Sequence, residues 1–481
     1  MNQGMLRYIL GKMLVIEGII LLIPTIISIV YGEKTITAFI VTIILVTLTG
    51  GIFVKNKPKD MGIHAKEGFF IVAMVWILWS VFGALPFYIS GTIPSFIDSL
   101  FETISGFTTT GSSIITNVEI LPKSILFWRN LTHWIGGMGV LILVLTVVPL
   151  TDKNSMYLVR AEMPGPLVNK LTARISTTAK TLYGIYILLT IVQIFFLLAG
   201  GMGVFDAVMY SLSTVATGGF ANRNASVAHF NSVYIDTVVT VFMFLCGINF
   251  NLFYLILVKG RFSLLKSEEL LAYIAITAMA IFGISVNTYH LYGGIGQTMR
   301  YASFQVVSLM TTTGFYTVNY NNWPEFSKTI LLIVMMIGSC AGSTGGGVKV
   351  SRVLIMAKSL KKEMDVMLHP RAINRVKMDG KPVEQGVING VFVFLVFYVI
   401  IMCVSVLIIS LDGFGFATNV SAVITMLNNV GPGISLVGPV EDFHRFSTLS
   451  KLVFSVDMLF GRLEIFPILI LFSPMFWRDK F

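Results

Sequence analysis

The sequence predicts an all-α polytopic membrane protein: about ten transmembrane helices plus four re-entrant helices, arranged as four pseudo-repeats around one central axis. Three observations carry this. Hydrophobic residues are 55% of the 481 and charged residues 12%, about half the charged share of a soluble domain, and mean hydropathy is +0.83. Apolar stretches that are, or extend to, about 18 residues recur from end to end, among them 72–89, 185–198, 252–258 with the run before it, and 391–409. A Thr/Gly-rich motif also recurs four times, each time after a segment too short to cross a bilayer.

The elements follow in order. Two apolar segments near 6–30 and 36–54 form an amino-terminal hairpin, placed at residues 1–60, and lead into the charged link KNKPKDMGIHAKE at 55–67. The first segment lacks a small-residue cleavage site and is read as a permanent helix. Four units follow, at 61–152, 153–262, 263–362 and 363–481, the last beginning with a polar linker. Each has a long apolar segment, a short amphipathic one, a Thr/Gly stretch and a second long apolar segment. The stretches are FTTTGSS at 107–113, STVATGGFAN at 213–222, TTTGFYT at 311–317 and NNVGPG at 428–433. Their glycines Gly111, Gly218, Gly314 and Gly431 stand about 107, 96 and 117 residues apart, a near-regular repeat. The preceding segments, roughly 95–107, 204–216, 297–311 and 415–428, reach only about 20 Å as helix. A half-crossing helix followed by glycine-rich backbone is tolerated at membrane depth only where it is buried in protein or lines a watery cavity. That pattern describes a re-entrant pore loop.

A net charge of +10 would suit nucleic acid if the charges clustered on a soluble surface. With these spans, about 25 of the basic residues fall on the amino-terminal face and about 8 on the other, so the positive-inside rule makes the amino terminus cytoplasmic. The charge is thus topological, and no nucleic-acid partner is expected. Cys246, Cys340 and Cys403 lie in apolar stretches without metal-ligand spacing, which points to packing rather than to a disulfide or zinc site. The linker at about 351–387 is too polar to insert and reads as a solvated connector or as a docking surface for a cytosolic partner.

A dehydrated alkali cation needs several oxygens in place of its hydration shell, and rings of backbone carbonyls supply them without a trapping charge. Glycine lets successive carbonyls converge because it adopts positive φ freely. Each short helix also aims its negative carboxyl end at the ion. The candidate oxygens are the carbonyls of Thr109, Thr110 and Gly111; Ala216, Thr217 and Gly218; Thr312, Thr313 and Gly314; and Asn429, Val430 and Gly431. Potassium would then be a transported ligand, and no cofactor is expected.

Two features suggest a gate. In the third unit, apolar residues at 329–337 give way to GSCAGSTGGGVK at 338–349, whose Gly338, Gly342, Gly345, Gly346 and Gly347 would break the helix in mid-membrane. Small-residue helix packing is the plainer reading; a phosphate-binding loop is excluded, because Val348 and Lys349 follow Gly347. Arg462, within DMLFGRLEIFPILILF, would be costly in the membrane without water or a partner. It would act as a barrier in the pore or form an ion pair with Asp457, Glu464 or Asp98. Asp98 and Glu102 read as hydrogen-bonded support for the first loop.

SGFTTTG, STVATGGF, TTTGF and NNVGPG, with GSCAGSTGGGVK and DMLFGRLEIF, resemble the filter loops, intramembrane gating loop and arginine-bearing last helix of the Trk/Ktr/HKT superfamily of potassium transporters. The resemblance covers essentially the whole chain, and the leading hairpin favours the Trk branch over the shorter Ktr one. It implies a homodimer in the bacterial inner membrane, each subunit with its own pore, resting on a cytosolic nucleotide-binding regulatory subunit (TrkA-like). In plant relatives a serine at the first filter glycine shifts preference toward sodium, and Gly111 keeps the potassium-type residue. The expected function is potassium uptake driven by membrane potential, with a sodium-dependent Ktr-like transporter or a potassium/proton symporter as alternatives. An enzyme is not expected: the six histidines (His64, His133, His229, His290, His369 and His444) are scattered and no HExxH occurs.

Overall fold

The structure is a computed structural model that describes residues 2–58, 65–139, 175–257, 260, 266–370 and 374–474. The expected boundaries between the first three units fall outside the described residues. Helices α1 (Gln3–Ile20), α2 (Leu22–Val30) and α3 (Ile36–Val54) form the leading hairpin. It closes tightly because Gly11 and Gly50 face each other: a Cβ on either would be driven against the other's carbonyl oxygen. The hairpin then docks on the first unit. Glu33, in its turn, accepts hydrogen bonds from the Lys123 and Ser124 amides, and Trp79 Nε1 donates to the Met13 carbonyl at 3.2 Å.

The first unit contains α4 (Ala65–Ile89), α5 (Phe96–Phe107) and α6 (Lys123–Gly137). The second contains α7 (Ile175–Ala199), α8 (Val204–Val215), α9 (Val233–Cys246) and α10 (Phe250–Leu257). The third has α11 (Glu268–Thr288), α12 (Ile295–Met310), α13 (Glu325–Ile337) and α14 (Val350–Leu368). The fourth has α15 (Gln385–Ile409), α16 (Phe416–Leu427), α17 (Thr448–Arg462) and α18 (Phe466–Phe472). The protein is an all-α polytopic membrane protein.

Among the described residues six helices are long and apolar enough to cross a bilayer: the two arms of the hairpin and the opening helix of each unit. Among the described residues the closing helices of the second, third and fourth units break, which is more places than the sequence suggested. α9 and α10 bend by 89° across residues 247–249, α13 and α14 are separated by 338–349, and α17 gives way to α18 through Glu464 and Ile465 at positive φ. Among the described residues the expected single break in the third unit is therefore one of three. Only the third carries a glycine run, so the other two left no comparable mark in the sequence.

The linker also departs from expectation. Its first half is α14, which continues from the break in the third unit, and Lys377–Met378 pairs antiparallel with Lys381–Pro382. The turn between them is Asp379-Gly380, both at positive φ, the sequence and geometry of a tight hairpin. Asp379 accepts the Glu268 amide at 2.9 Å, and Lys358 pairs with Glu268, so the hairpin is clamped to the start of α11.

Candidate functional site

The short helices α5, α8, α12 and α16 end in one repeated turn. The amide of Thr110, Gly218, Thr313 or Val430 donates to a carbonyl five residues back, on Ser105, Ser213, Ser308 or Thr425, at 2.8–2.9 Å. The residue before it, Thr109, Thr217, Thr312 or Asn429, is left-handed, with φ between 53° and 59°. This is the Schellman helix ending, usually built on glycine. A left-handed conformation costs an L-residue about 1–2 kcal/mol, so side chains at this position are retained against a backbone cost. What they touch explains their presence, as described below.

Two residues on, glycine does occupy the corresponding position: Gly111, Gly219, Gly314 and Gly431 all have φ between 79° and 95°. Their surroundings close a ring. A Cβ on Gly111 would strike the Gly218 carbonyl, one on Gly219 the Thr313 carbonyl, one on Gly314 the Val430 carbonyl, and one on Gly431 the Thr110 carbonyl. Each loop touches the next, and the fourth touches the first, so the four motifs meet around one axis with their backbones in contact.

The ring sets the register. Thr109-Thr110-Gly111, Thr312-Thr313-Gly314 and Asn429-Val430-Gly431 are equivalent triplets. In the second loop the equivalent triplet is Thr217-Gly218-Gly219, one residue later than the expected Ala216-Thr217-Gly218. Ala216 stands instead at the end of its helix, beside Gly137 of α6. The Gly-Phe pair shared by Gly219-Phe220 and Gly314-Phe315 carried this register in the sequence.

Below the ring lies the glycine-rich break at 338–349. Its ends are zipped together by amide bonds from Val348 to Met336, from Lys349 to Ile337 and from Val350 to Ser339, at 2.8–3.1 Å. Gly338 and Gly347 pass so closely at this base that a Cβ on either would meet the other's backbone. The loop hangs on the break of the second unit, through Cys340 N to Gly247 O at 3.1 Å and Phe250 N to Gly342 O at 2.9 Å, and on Glu269, which accepts the Ala341 amide at 2.7 Å. Gly342 packs beside Asn249, and Gly345 beside the Thr311 carbonyl.

The crest of this loop meets the left-handed side chains. Thr217 Oγ1 donates to Thr344 Oγ1 at 3.2 Å, the Gly346 amide donates to Thr312 Oγ1 at 2.6 Å, and a Cβ on Gly346 would strike the Asn428 carbonyl and meet the Cβ of Asn429. Arg462 completes the layer. Its guanidinium donates to the carbonyls of Thr344 (2.8 Å), Gly137 (2.7 Å) and Gly136, and reaches Thr109 Oγ1 at 3.4 Å. The three carboxylates considered as its partners are engaged elsewhere: Asp98 with Lys451, Glu464 with Arg352, and Asp457 accepting from Ser405. Arg462 is not the sole cation at depth, because Lys349 and Arg352 are also buried, Lys349 donating to the Gly345 carbonyl.

Behind the ring, Glu102 accepts from the Ser113 hydroxyl and the Ile114 amide, both at 3.0 Å, which fits its expected supporting role. Among the described residues no group of His, Cys, Asp and Glu could hold a metal ion.

A fourfold ring of Thr/Gly loops inside one chain invites comparison with known proteins. The family profile TrkH, described as cation transport protein, matches residues 32–271 and 255–481. The chain belongs to the TrkH family. The Trk system potassium uptake protein TrkH of Salmonella typhimurium is 36% identical over 98% of both chains, and the Trk system potassium uptake protein TrkG of Escherichia coli is 33% identical over the full length of both. The crystal structure of the potassium transporter TrkH from Vibrio parahaemolyticus superposes with a TM-score of 0.89 at 33% identity, covering 99% of this chain and all of that one. TrkH-family membership thus rests on the whole length, hairpin included.

Proposed function

We propose that this protein takes up potassium, as the names of its Trk system relatives describe for them, and that it does so across a bacterial inner membrane through the ring of loops. The closed circuit in which Gly111, Gly219, Gly314 and Gly431 abut the carbonyls of Gly218, Thr313, Val430 and Thr110 in the neighbouring loops carries the reading. Carbonyls of Thr109, Thr110 and Gly111, Thr217, Gly218 and Gly219, Thr312, Thr313 and Gly314, and Asn429, Val430 and Gly431 form the cation seat. The left-handed residue in each triplet turns consecutive carbonyls to one side, which an extended backbone would not do. The break at 338–349, pinned by Arg462, is the gate, with its crest against the underside of the seat. Opening requires Arg462 to release the Thr344 carbonyl or Gly346 to release Thr312.

The inside-negative potential supplies about 2.3 kcal/mol per 100 mV for each cation, enough for accumulation without a coupled ion. The amino terminus is cytoplasmic, beside the basic link: the Asn2 amide donates to Glu67. The chain works as a homodimer with a TrkA-like cytosolic nucleotide-binding subunit, consistent with a Trk-system role, and acts as a transporter rather than an enzyme. The deciding measurement is rubidium and sodium flux into liposomes containing the purified protein and its cytosolic partner. Wild type favours rubidium, and Gly111→Ser loses that preference. An unchanged ratio in the variant removes Gly111 from the seat, and no flux in wild type removes the proposal.

A further inference from the structure

The four loops are not held alike. Between the first and second runs a buried side-chain strut: Arg129 of α6 bonds Glu102 of α5 through Nε at 2.6 Å and donates through Nη1 to the Ala221 carbonyl at 2.9 Å. Both charged side chains are almost fully buried, 3% and 0% exposed. Glu102 holds the first loop by its two bonds to Ser113 and Ile114. Ala221 stands two residues beyond Gly219 in the second.

The guanidinium also stacks on Phe220, 3.5 Å from the ring centre, and His133 stacks on the same ring at 4.0 Å. Arg129 and His133 are four residues apart on α6, so they share a helix face. The imidazole completes the link: Nδ1 pairs with the Gly106 carbonyl at 2.6 Å, and Nε2 accepts the Phe220 amide at 3.2 Å, which sets the Nδ1-protonated form. A Cβ on Gly218 would collide with this ring. The loops joined this way are therefore fixed relative to each other by Glu102, Arg129, His133 and Phe220 together.

The other neighbouring loops meet differently. The third is tied to the second by Tyr316, whose hydroxyl donates to the Asn224 carbonyl at 2.6 Å, and the fourth to the third by Asn321 donating to the Ser435 carbonyl at 2.9 Å. The fourth returns to the first through Ser112 donating to the Gly431 carbonyl at 3.1 Å. Those bonds are neutral, as is the one Asn429 donates to Thr110 Oγ1 at 3.0 Å, and the charged pairs between neighbouring units there, Arg300 with Asp236 and Lys451 with Asp98, bind α12 to α9 and α17 to α5 rather than holding a loop, whereas the Arg129 strut is charged, buried and bonded to the second loop itself.

We infer that Glu102 and Arg129 are specificity-determining positioning residues: they hold the first and second loops at the separation that makes the ring fit a large alkali cation. The inference rests on the proposed cation seat and deepens it. Two geometric constraints support it. Arg129 cannot rotate without breaking its bond to Ala221, and Glu102 cannot move without releasing the Ser113-Ile114 segment. A ring that discriminates by fit is sensitive to loop separation, and misplacement of about 1 Å can change a rate by 100-fold.

Glu102→Gln preserves shape and removes the ionic bond; Arg129→Lys keeps the charge but loses the two-ended reach and the stacking on Phe220. Both are compared with wild type in liposomes for the rubidium-to-sodium flux ratio, with monodispersity in detergent as the folding check. The expected result is a fall of about tenfold or more in the ratio for each, with total cation flux retained, and the same ratio in the double variant as in the worse single one. Wild-type selectivity in folded Glu102→Gln overturns the inference while leaving the cation seat intact. Loss of folded protein in both variants overturns it too, since the pair would then serve folding rather than selection. An inactive wild type instead counts against the seat itself.

Discussion

Gly219→Ala separates the register seen in the structure from the one expected in the sequence, and Gly201→Ala is its internal control. Gly201 and Gly219 share nearly the same positive φ, 84° and 83°. Alanine at either therefore incurs the same left-handed cost, about 1–2 kcal/mol. Around Gly201 nothing lies within 4 Å of an added Cβ, whereas at Gly219 the Cβ would overlap the Thr313 carbonyl oxygen of the next loop. That oxygen belongs to backbone in a buried loop, so the clash is relieved only by moving the ring, at a further cost of about 1–3 kcal/mol for overpacking. With 1.4 kcal/mol per decade, the extra term corresponds to roughly a 5- to 150-fold loss of preferential cation binding. Rubidium and sodium flux in liposomes measures the ratio, and thermal unfolding measures the shared backbone cost. Gly201→Ala should lower the unfolding midpoint and leave the ratio intact, while Gly219→Ala should collapse the ratio. Equal behaviour of the two variants would refute the argument that Gly219 abuts the seat.

Two further perturbations test neighbouring parts of the structure. Arg462→Gln removes a guanidinium that bridges Thr344 to Gly136 and Gly137; each charged hydrogen bond is worth about 1.5–3 kcal/mol. Cation flux without the cytosolic partner should therefore rise by about tenfold or more, and unchanged partner-independent flux would remove Arg462 from the gate. Glu33→Ala strips the acceptor from the Lys123 and Ser124 amides at the start of α6, a loss of about 1–2 kcal/mol on the scale of a helix cap. The unfolding midpoint should drop with no change in the flux ratio, because α6 keeps its contacts with the ring at its far end; a changed ratio would show that the hairpin positions the seat.

Much of the architecture was legible because a bilayer imposes crude, one-dimensional rules. Segment length separates spanning helices from half-crossing ones, and a hydrocarbon solvent forbids open backbone except in a cavity. The Thr/Gly motifs stood out for the same reason: their composition is wrong for lipid contact. The breaks after α9 and α17 were not legible. One lies across Gly247-Ile248-Asn249, where a single glycine and an asparagine within an apolar run read equally as helix packing, and the other depends on Glu464 and Ile465 held at positive φ by their surroundings, residue types that do not signal a break. The Asp379-Gly380 hairpin could have been read from its turn residues, but it lies in a linker judged by polarity.

Composition and repetition by themselves determined that the chain is a membrane-spanning helical protein, that four short Thr/Gly loops recur in it, and that a glycine-rich break interrupts the third unit. Those are properties of local sequence, governed by helix length, hydropathy and the conformational freedom of glycine. Tertiary structure alone decided that the loops close into a ring, that Arg462 bonds carbonyls while Asp98, Asp457 and Glu464 bond other groups, and that Glu102 and Arg129 join two loops. Each of these depends on atoms from segments tens to hundreds of residues apart, whose approach is settled by packing and by the need to pair buried polar groups, and no periodicity in the chain encodes that pairing.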